Sequence, residues 1–344
     1  MAEMTRKEPL TLSRVIWVSA IFCLCLSGVA SSALMIGTAE VSLSKMAALV
    51  TGTLPADDPV RLIVFKIRLP RILLAGLAGF SLSMGGVVFQ ALLRNPLADP
   101  FILGVSSGAA FGAILGIFLG FTFSLGIPSM AFAGALFTVY LILTIGAKRS
   151  GIESSSILLT GVIINAFFTA LIMFFISFAA DSRLHAMLYW LYGDLSQSRF
   201  GPLILLAPVL FFAFALLFAY AKDLNLLTAG EDTAFLLGVD VERAKRVCLL
   251  IVSLMIGLTV SFSGLIGFVG LIIPHIARMT FGADHRLLLP TASLGGAVFM
   301  IAADTLARTI ISPSELPVGV ITAFMGAPFF IYLLKSRGSQ WSRS

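Results

Sequence analysis

Charge is scarce in this chain. Asp, Glu, Lys and Arg make up 12% of 344 residues, against 58% hydrophobic residues. A soluble domain of this size cannot hide so much apolar surface, so the composition excludes an ordinary globular enzyme and indicates an all-α polytopic membrane protein. Cysteine is nearly absent: Cys23, Cys25 and Cys248 form no framework. Cys23 and Cys25 fall on different sides of a helix, and all three read as small buried apolar residues. The three histidines, His185, His275 and His285, are far apart and do not resemble a ligand set. The patterns GxxxxGK[ST], HExxH and CxxC do not occur. Nothing in the sequence supports catalysis, a cofactor or a metal centre. The formal charge of +6 fits basic loops on one membrane face rather than a nucleic-acid partner.

What the chain does have is apolar runs. Separated by charge and turn residues, they predict about ten transmembrane helices, at 14–36, 68–92, 100–121, 126–147, 155–179, 201–221, 245–263, 265–281, 287–308 and 317–335. Residues 1–344 are read as one transmembrane domain. The run after Arg6, Lys7 and Arg14 could be a signal peptide, but its length favours a retained first helix. The segment 265–281 is short and carries Pro274 near its middle, so it either spans or re-enters. With ten spans and both termini inside, the inner segments hold 15 of the 23 Lys and Arg residues, the bias expected of cytoplasmic loops.

The exception is on the outer side, where Arg61, Lys66, Arg68 and Arg71 crowd the end of the outer loop 37–67. Headgroup anchoring by snorkelling side chains accounts for such a cluster, and so does a docking patch for an acidic partner. Within the spans, Asp304 and Arg308 form an i,i+4 pair. Asn165 and Gln90 either bond a neighbouring helix or line a path. There is no membrane-embedded carboxylate series.

Gly104, Gly108, Gly112, Gly116 and Gly120 recur every four residues. This ladder predicts a helix face that a neighbouring backbone can approach closely. The inner loop 222–244 mixes leucines with acids, and Gly230 and Gly238 divide it into two short amphipathic helices. An exposed apolar face needs a partner. The acids disfavour an anionic leaflet and favour a cytoplasmic protein.

Seven blocks in order carry a resemblance over residues 60–335: RLPR at 68–71, NPLADPFILGVSSGA at 95–109, YWLYGDL at 189–195, NLLTAGEDTAFLLGV at 225–239, SGLIGFVGLIIPHIAR at 263–278, DHRLLLP at 284–290 and ELPVGVITAFMGAPFF at 315–330. The chain resembles the FecCD-type permease subunits of type II ATP-binding-cassette importers, which carry iron–siderophores, haem or vitamin B12. The resemblance implies a bacterial inner-membrane protein with cytoplasmic termini. Its partners would be membrane lipid, a second permease copy (most simply an identical one), two ATPase subunits and a periplasmic substrate-binding protein. It implies docking of the binding protein at Arg68, Arg71 and Arg308, with Glu315 near the docked lobe. It assigns ATPase coupling to Leu226, Leu227, Ala229, Gly230, Glu231, Ala234, Leu237 and Gly238, and an inner gate and path to Leu97, Ser154, Ser155 and Asn165. An ion-driven secondary transporter is the competing class; it would carry embedded acids beside interrupted helices, and Pro70, Pro128 and Pro274 have none.

Overall fold

The computed structural model describes residues 10–39, 41–99, 101, 103–146 and 154–341. Among the described residues the architecture is helical, without strands. Helix α1 is Leu12–Met35. The loop after it holds α2 (Leu43–Val50) and α3 (Pro59–Leu62), which close a small apolar cluster of Val41, Leu54, Val60 and Val64. A π-helical turn over Ile63–Arg68 leads without a break into α4 (Leu69–Leu92). Then follow α5 (Val105–Phe118), α6 (Gly126–Ile145), α7 (Ser154–Ser177), α8 (Asp181–Leu191) and α9 (Phe200–Ala219). The short α10 (Ala221–Ala229) and α11 (Glu231–Leu236) precede α12 (Val241–Ser263), α13 (Val269–Phe281), α14 (His285–Ala307) and α15 (Val318–Trp341).

Seven of these helices are long and apolar enough to cross a bilayer, with the α3–α4 stretch counted as one; α5, α13 and the apolar part of α15 are shorter. Together they occupy the ten positions expected. Two expected spans are truncated. In place of 100–121 the helix is 14 residues long, and in place of 265–281 it is 13. At 1.5 Å per residue each covers about 20 Å, short of the roughly 30 Å hydrocarbon core.

The missing depth at α13 is filled by irregular backbone. The Leu265 N–H donates to Trp190 O, Val318 N–H to Gly193 O and Gly319 N–H to Tyr192 O. The breaks preceding α13 and α15 thus both donate to the break following α8. Non-helical backbone is tolerated at such depth only when buried in protein with partners of this kind. Side chains would separate these strands of backbone: a Cβ on Gly193 would lie 2.6 Å from Leu265 O.

Helix α4 is the hub. It packs on α14, α12, α13, α9 and α1, while α12 joins this group to α5 and α6, against which α7 and α8 pack. Its small residues let backbones meet. A Cβ on Gly86 would collide with the Gly270 carbonyl of α13, and one on Gly79 with the Gly296 carbonyl of α14. Thr259 of α12 donates to the Ser81 hydroxyl at 2.8 Å. These two hydroxyls inside the bundle are thereby paired rather than left bare. The outer faces of α1, α7 and α9 present Trp17, Phe167, Phe174, Ile204 and Phe212, as a lipid-facing surface would. Cys23 and Cys25 lie on that exposed surface, not in the core; only Cys248 is buried. A membrane helix needs no polar outer face, so periodicity did not distinguish the two sides of α1.

Gly86→Ala should lower stability by about 2–3 kcal/mol, because rigid backbone faces the new methyl. Gly76→Ala, whose Cβ would sit 3.4 Å from a flexible Ile301 side chain, should stay within about 0.5 kcal/mol. Thermal unfolding of the two variants in detergent checks the contrast.

Candidate functional site

The residues singled out from sequence gather at opposite ends of the bundle. At the first end, α1 finishes beside the start of α4 and the end of α14. The last carbonyls of a helix have no intrahelical partner. Here Arg68 Nη1 donates to Leu34 O at 2.7 Å and Met35 O at 2.9 Å, and its Nη2 donates to Ala39 O. Arg308 Nη2 donates to Ala33 O at 2.9 Å. Cationic groups at a helix C-terminus also complement its dipole. Arg71 Nε bonds both carboxylate oxygens of Asp304, at 2.9 and 3.1 Å, and its Nη1 meets Glu315 Oε2 at 2.6 Å. Asp304 also lies 3.4 Å from Arg308 Nε.

The structure therefore brings Arg68, Arg71 and Arg308 together, but not onto the surface. They are 4, 6 and 4% exposed, and each has an internal partner. Exposed groups beside them include Lys66 and, in part, Arg61 and Glu315, with Lys45 and Asp57 on the same outer loop. The Asp304–Arg308 pairing read from their spacing is present, yet the closer partner of Asp304 is Arg71, on another helix. Removing the carboxylate takes a buried counter-ion from both Arg71 and Arg308 and leaves only Glu315, on Arg71. Asp304→Ala should cost about 3–5 kcal/mol, against about 1 kcal/mol or less for the partly exposed Glu315→Gln; denaturation followed by tryptophan fluorescence separates the two.

At the opposite end, α10 and α11 form the two short helices expected in 222–244. Gly230, at φ +134°, makes the corner between them, and Gly238, at φ +88°, ends the second. Leu224, Leu227 and Ala234 are buried beneath, and Leu226 packs at their edge. Ala229, Leu237 and Gly238 are exposed and Gly230 is half-buried. Leu227 and Ala234 accordingly belong to the inner face of this unit, because burying that face is what holds the short helices down. Phe235 and Leu236, 71 and 83% exposed, complete an outward apolar knob with Leu237.

Asn225 pins α10 to α14. Its Nδ2 donates to Asp284 Oδ1 at 2.9 Å and its Oδ1 accepts from His285 N–H at 2.8 Å. Asp284 caps α14 and holds the Arg286 guanidinium at 2.6 Å. That guanidinium bond, ahead of the Asn225 amide, draws the Asp284 carboxyl down to about 2 against partial burial. Glu231 Oε1 meets Lys245 Nζ at 2.6 Å and Arg94 Nη2 at 3.3 Å.

The turn after α4 lies at this same end. Asn95 Oδ1 accepts from Leu97 N–H and Asp99 Oδ1 from Phe101 N–H, two Asx turns in succession. Leu97 is 38% exposed and Asn165 faces outward from the chain. Ser154 and Ser155 open α7, but their side chains lie outside the described residues. Gln90 is buried, bonding Gly270 O at 3.3 Å and Arg278 at 2.8 Å.

The FecCD transport family model matches residues 20–336. The chain belongs to the FecCD transport family. It is 40% identical to the cobalamin import system permease protein of Halobacterium salinarum, over 81% of this chain and 75% of that one. It is 38% identical to the hemin transport system permease protein of Yersinia pestis, over 83% of this chain and 87% of that one. A solved structure assigned as a metal-chelate type ABC transporter in an inward-facing conformation superposes with a TM-score of 0.82 at 33% identity, covering 93% of this chain and 99% of that one.

In this FecCD-family chain the glycine ladder divides into two roles. Gly108 and Gly112 lie on α5 against the Gly134 and Met130 carbonyls of α6, so a Cβ on either would collide, while Gly116 meets the Met130 side chain. Gly104 and Gly120 have φ near +80° and bound the helix instead. Sequence reading missed Arg94, Lys245 and Asn225, whose partners are distant in the chain. The residues that the resemblance assigns to coupling omit Phe235 and Leu236, although their place opposite Ala234 on α11 was a usable signal. At the Arg68 end a cavity of about 550 Å³ opens between α8, the 121–128 turn and the 194–203 segment, walled by Tyr189, Trp190, Phe121 and Phe123 and edged by Arg199 and His185.

Asp99 sits in the turn, outside the helices, and is 6% exposed. Burial pushes its carboxyl from 3.8 up to about 6, opposed only by the Phe101 N–H. A raised acid costs stability when ionised, in full above pH 6, and the cost fades as the pH falls toward 3.8. At about 1.4 kcal/mol per pH unit the ceiling is about 3 kcal/mol. Asp99→Asn keeps the Asx turn, so it should raise the unfolding temperature at pH 8 and leave it unchanged near pH 4; a pH series of melting curves reads this directly.

Proposed function

We propose that this chain is the membrane subunit of an ATP-driven, binding-protein-dependent importer, and that its cargo is an iron chelate, haem or cobalamin. The observation that carries the reading is the α10–α11 unit: one apolar face is anchored to the bundle, and Phe235, Leu236 and Leu237 stand clear of it. An exposed apolar helical knob beyond the membrane fits a groove on a cytoplasmic protein. The names of the relatives, a cobalamin importer and a hemin transporter, support the cargo class. The Lys and Arg bias supports cytoplasmic termini in a bacterial inner membrane.

In this reading two copies of the chain flank a central path, and two separate ATPase subunits hold the knobs. Closure of the ATPases on nucleotide presses on α10 and α11. Gly230, Glu231 and Gly238 shape the pressed unit rather than forming its contact surface. The inner gate is Leu97 with Ser154 and Ser155, and Asn165 faces the path. A leucine and two small hydroxyls seal by packing and yield without breaking an ion pair. A periplasmic binding protein docks at the Arg68 end. Its acidic groups meet Lys66 and Arg61, while the buried Arg68, Arg71 and Arg308 add positive potential from beneath. Charges of this kind govern the association rate and its salt dependence more than affinity. Specificity lies mainly in the binding protein, because the path offers a large cargo few charged groups.

The test is uptake into proteoliposomes holding the chain with its neighbouring ATPase, given the binding protein and labelled ferric siderophore, haem or cobalamin. One cargo should accumulate, needing both ATP and the binding protein. Leu236→Asp should abolish that uptake and release the ATPase on co-purification. Cargo movement that persists without the ATPase would overturn the reading in favour of a secondary transporter.

A further inference from the structure

The importer reading leaves open how a push on the α11 knob reaches a gate on another segment. We infer that Glu231 is the positioning residue that carries it, through Arg94, to the turn bearing Leu97. This rests on the proposed coupling role of α10 and α11.

The two helices are held differently. Helix α10 is fixed to the α14 N-terminus by the paired bonds of Asn225 with Asp284 and His285. Helix α11 begins after the Gly230 corner, and Glu231 is its first residue. Its Oε1 is shared between Lys245 on α12, at 2.6 Å, and Arg94, at 3.3 Å. Lys245 is 4% exposed, so that arm is the fixed one. Arg94 is about half exposed and belongs to no helix.

Arg94 lies just beyond the end of α4, three residues before Leu97. Its φ is +48°, and Phe268 is the other non-glycine residue with positive φ among the described residues. A bulky side chain is uncommon in that conformation, and a held outlier of this kind invites a functional account. The bend closes the α4 end: Asn95 N–H reaches back to Gln90 O, and Asn95 Oδ1 then takes the Leu97 N–H. Arg94 and Leu97 therefore belong to one small hydrogen-bonded turn. A displacement of Glu231 about Gly230 acts on Arg94 at one end of that turn and on Leu97 at the other. The relay is an exposed charge pair, which is strong enough to bias a gate and weak enough to break and reform in each cycle.

The experiment measures cargo delivered per ATP hydrolysed in proteoliposomes of the full complex. Arg94→Gln and Glu231→Gln should each lower that ratio about threefold, within the range set by one exposed pair. The double variant should lose no more than Glu231→Gln alone, since the pair that Arg94→Gln removes is already gone once Glu231 is neutral. Arg94→Lys, which keeps the charge, should recover most of the ratio. Should Glu231→Gln fail to fold beside the buried Lys245, the Arg94→Gln and Arg94→Lys pair decides alone. An unaltered ratio in Arg94→Gln overturns the relay. So do single losses that multiply in the double, or an Arg94→Lys as impaired as Arg94→Gln. Wild-type vesicles that take up nothing on ATP overturn the importer reading and the relay with it.

Discussion

A backbone N–H or C=O in hydrocarbon must find a partner inside the protein, and the places where this chain stops being helical are governed by that demand. The breaks beside Gly193, Gly264 and Gly319 do not stand alone. The first accepts from the other two, through Leu265 to Trp190, Val318 to Gly193 and Gly319 to Tyr192. Short helices such as α13 are possible only because of that exchange. The same demand explains why α1 ends where it does, with Arg68 and Arg308 taking the carbonyls of Ala33, Leu34 and Met35.

The few charges are consequently structural before they are anything else. Desolvating Arg71 and Asp304 is costly, and the cost is offset by the twofold contact of Arg71 Nε and by Glu315 closing the remaining side. A rim of free arginines would have suited a docking surface. The structure instead gives a buried ionic knot that joins α1, α4 and α14, overlaid by a thin exposed layer of Lys66, Arg61 and Glu315. Any partner at this end meets a rigid mouth.

The other end is built to opposite effect. Its short helices are anchored by Leu224, Leu227 and Ala234 and pinned by Asn225, yet they turn three large apolar side chains outward. Fixed and exchangeable contacts lie side by side there: a four-member hydrogen-bonded cap at the start of α14, and a shared carboxylate at Glu231. Between the two ends α4 runs as a glycine-lined spine, in backbone contact with α13 and α14 through Gly86 and Gly79. A rigid spine of this kind suits motion of whole helices better than local bending.

Much of this was legible in the order of residues. Apolar run length sets where a helix can cross, so the ten positions could be read, and Gly230 with Gly238 marked the two short helices between them. Both are local properties of chain stretches. Which side of a helix is inward was less legible, because in lipid the outer face is as apolar as the core; hence Cys23 and Cys25 read as buried. The truncation of α5 and α13 was hidden for a related reason, since an apolar run looks the same whether or not it is helical throughout. Most of the ionic pairing was beyond reach: Arg71 and Asp304 are separated by 233 residues, and Arg94 and Glu231 by 137. Sequence by itself determined the material and the positions of the apolar helices, through composition and run length. Tertiary structure alone decided which charges are spent inside the fold, because that depends on how helices distant in the chain come to pack.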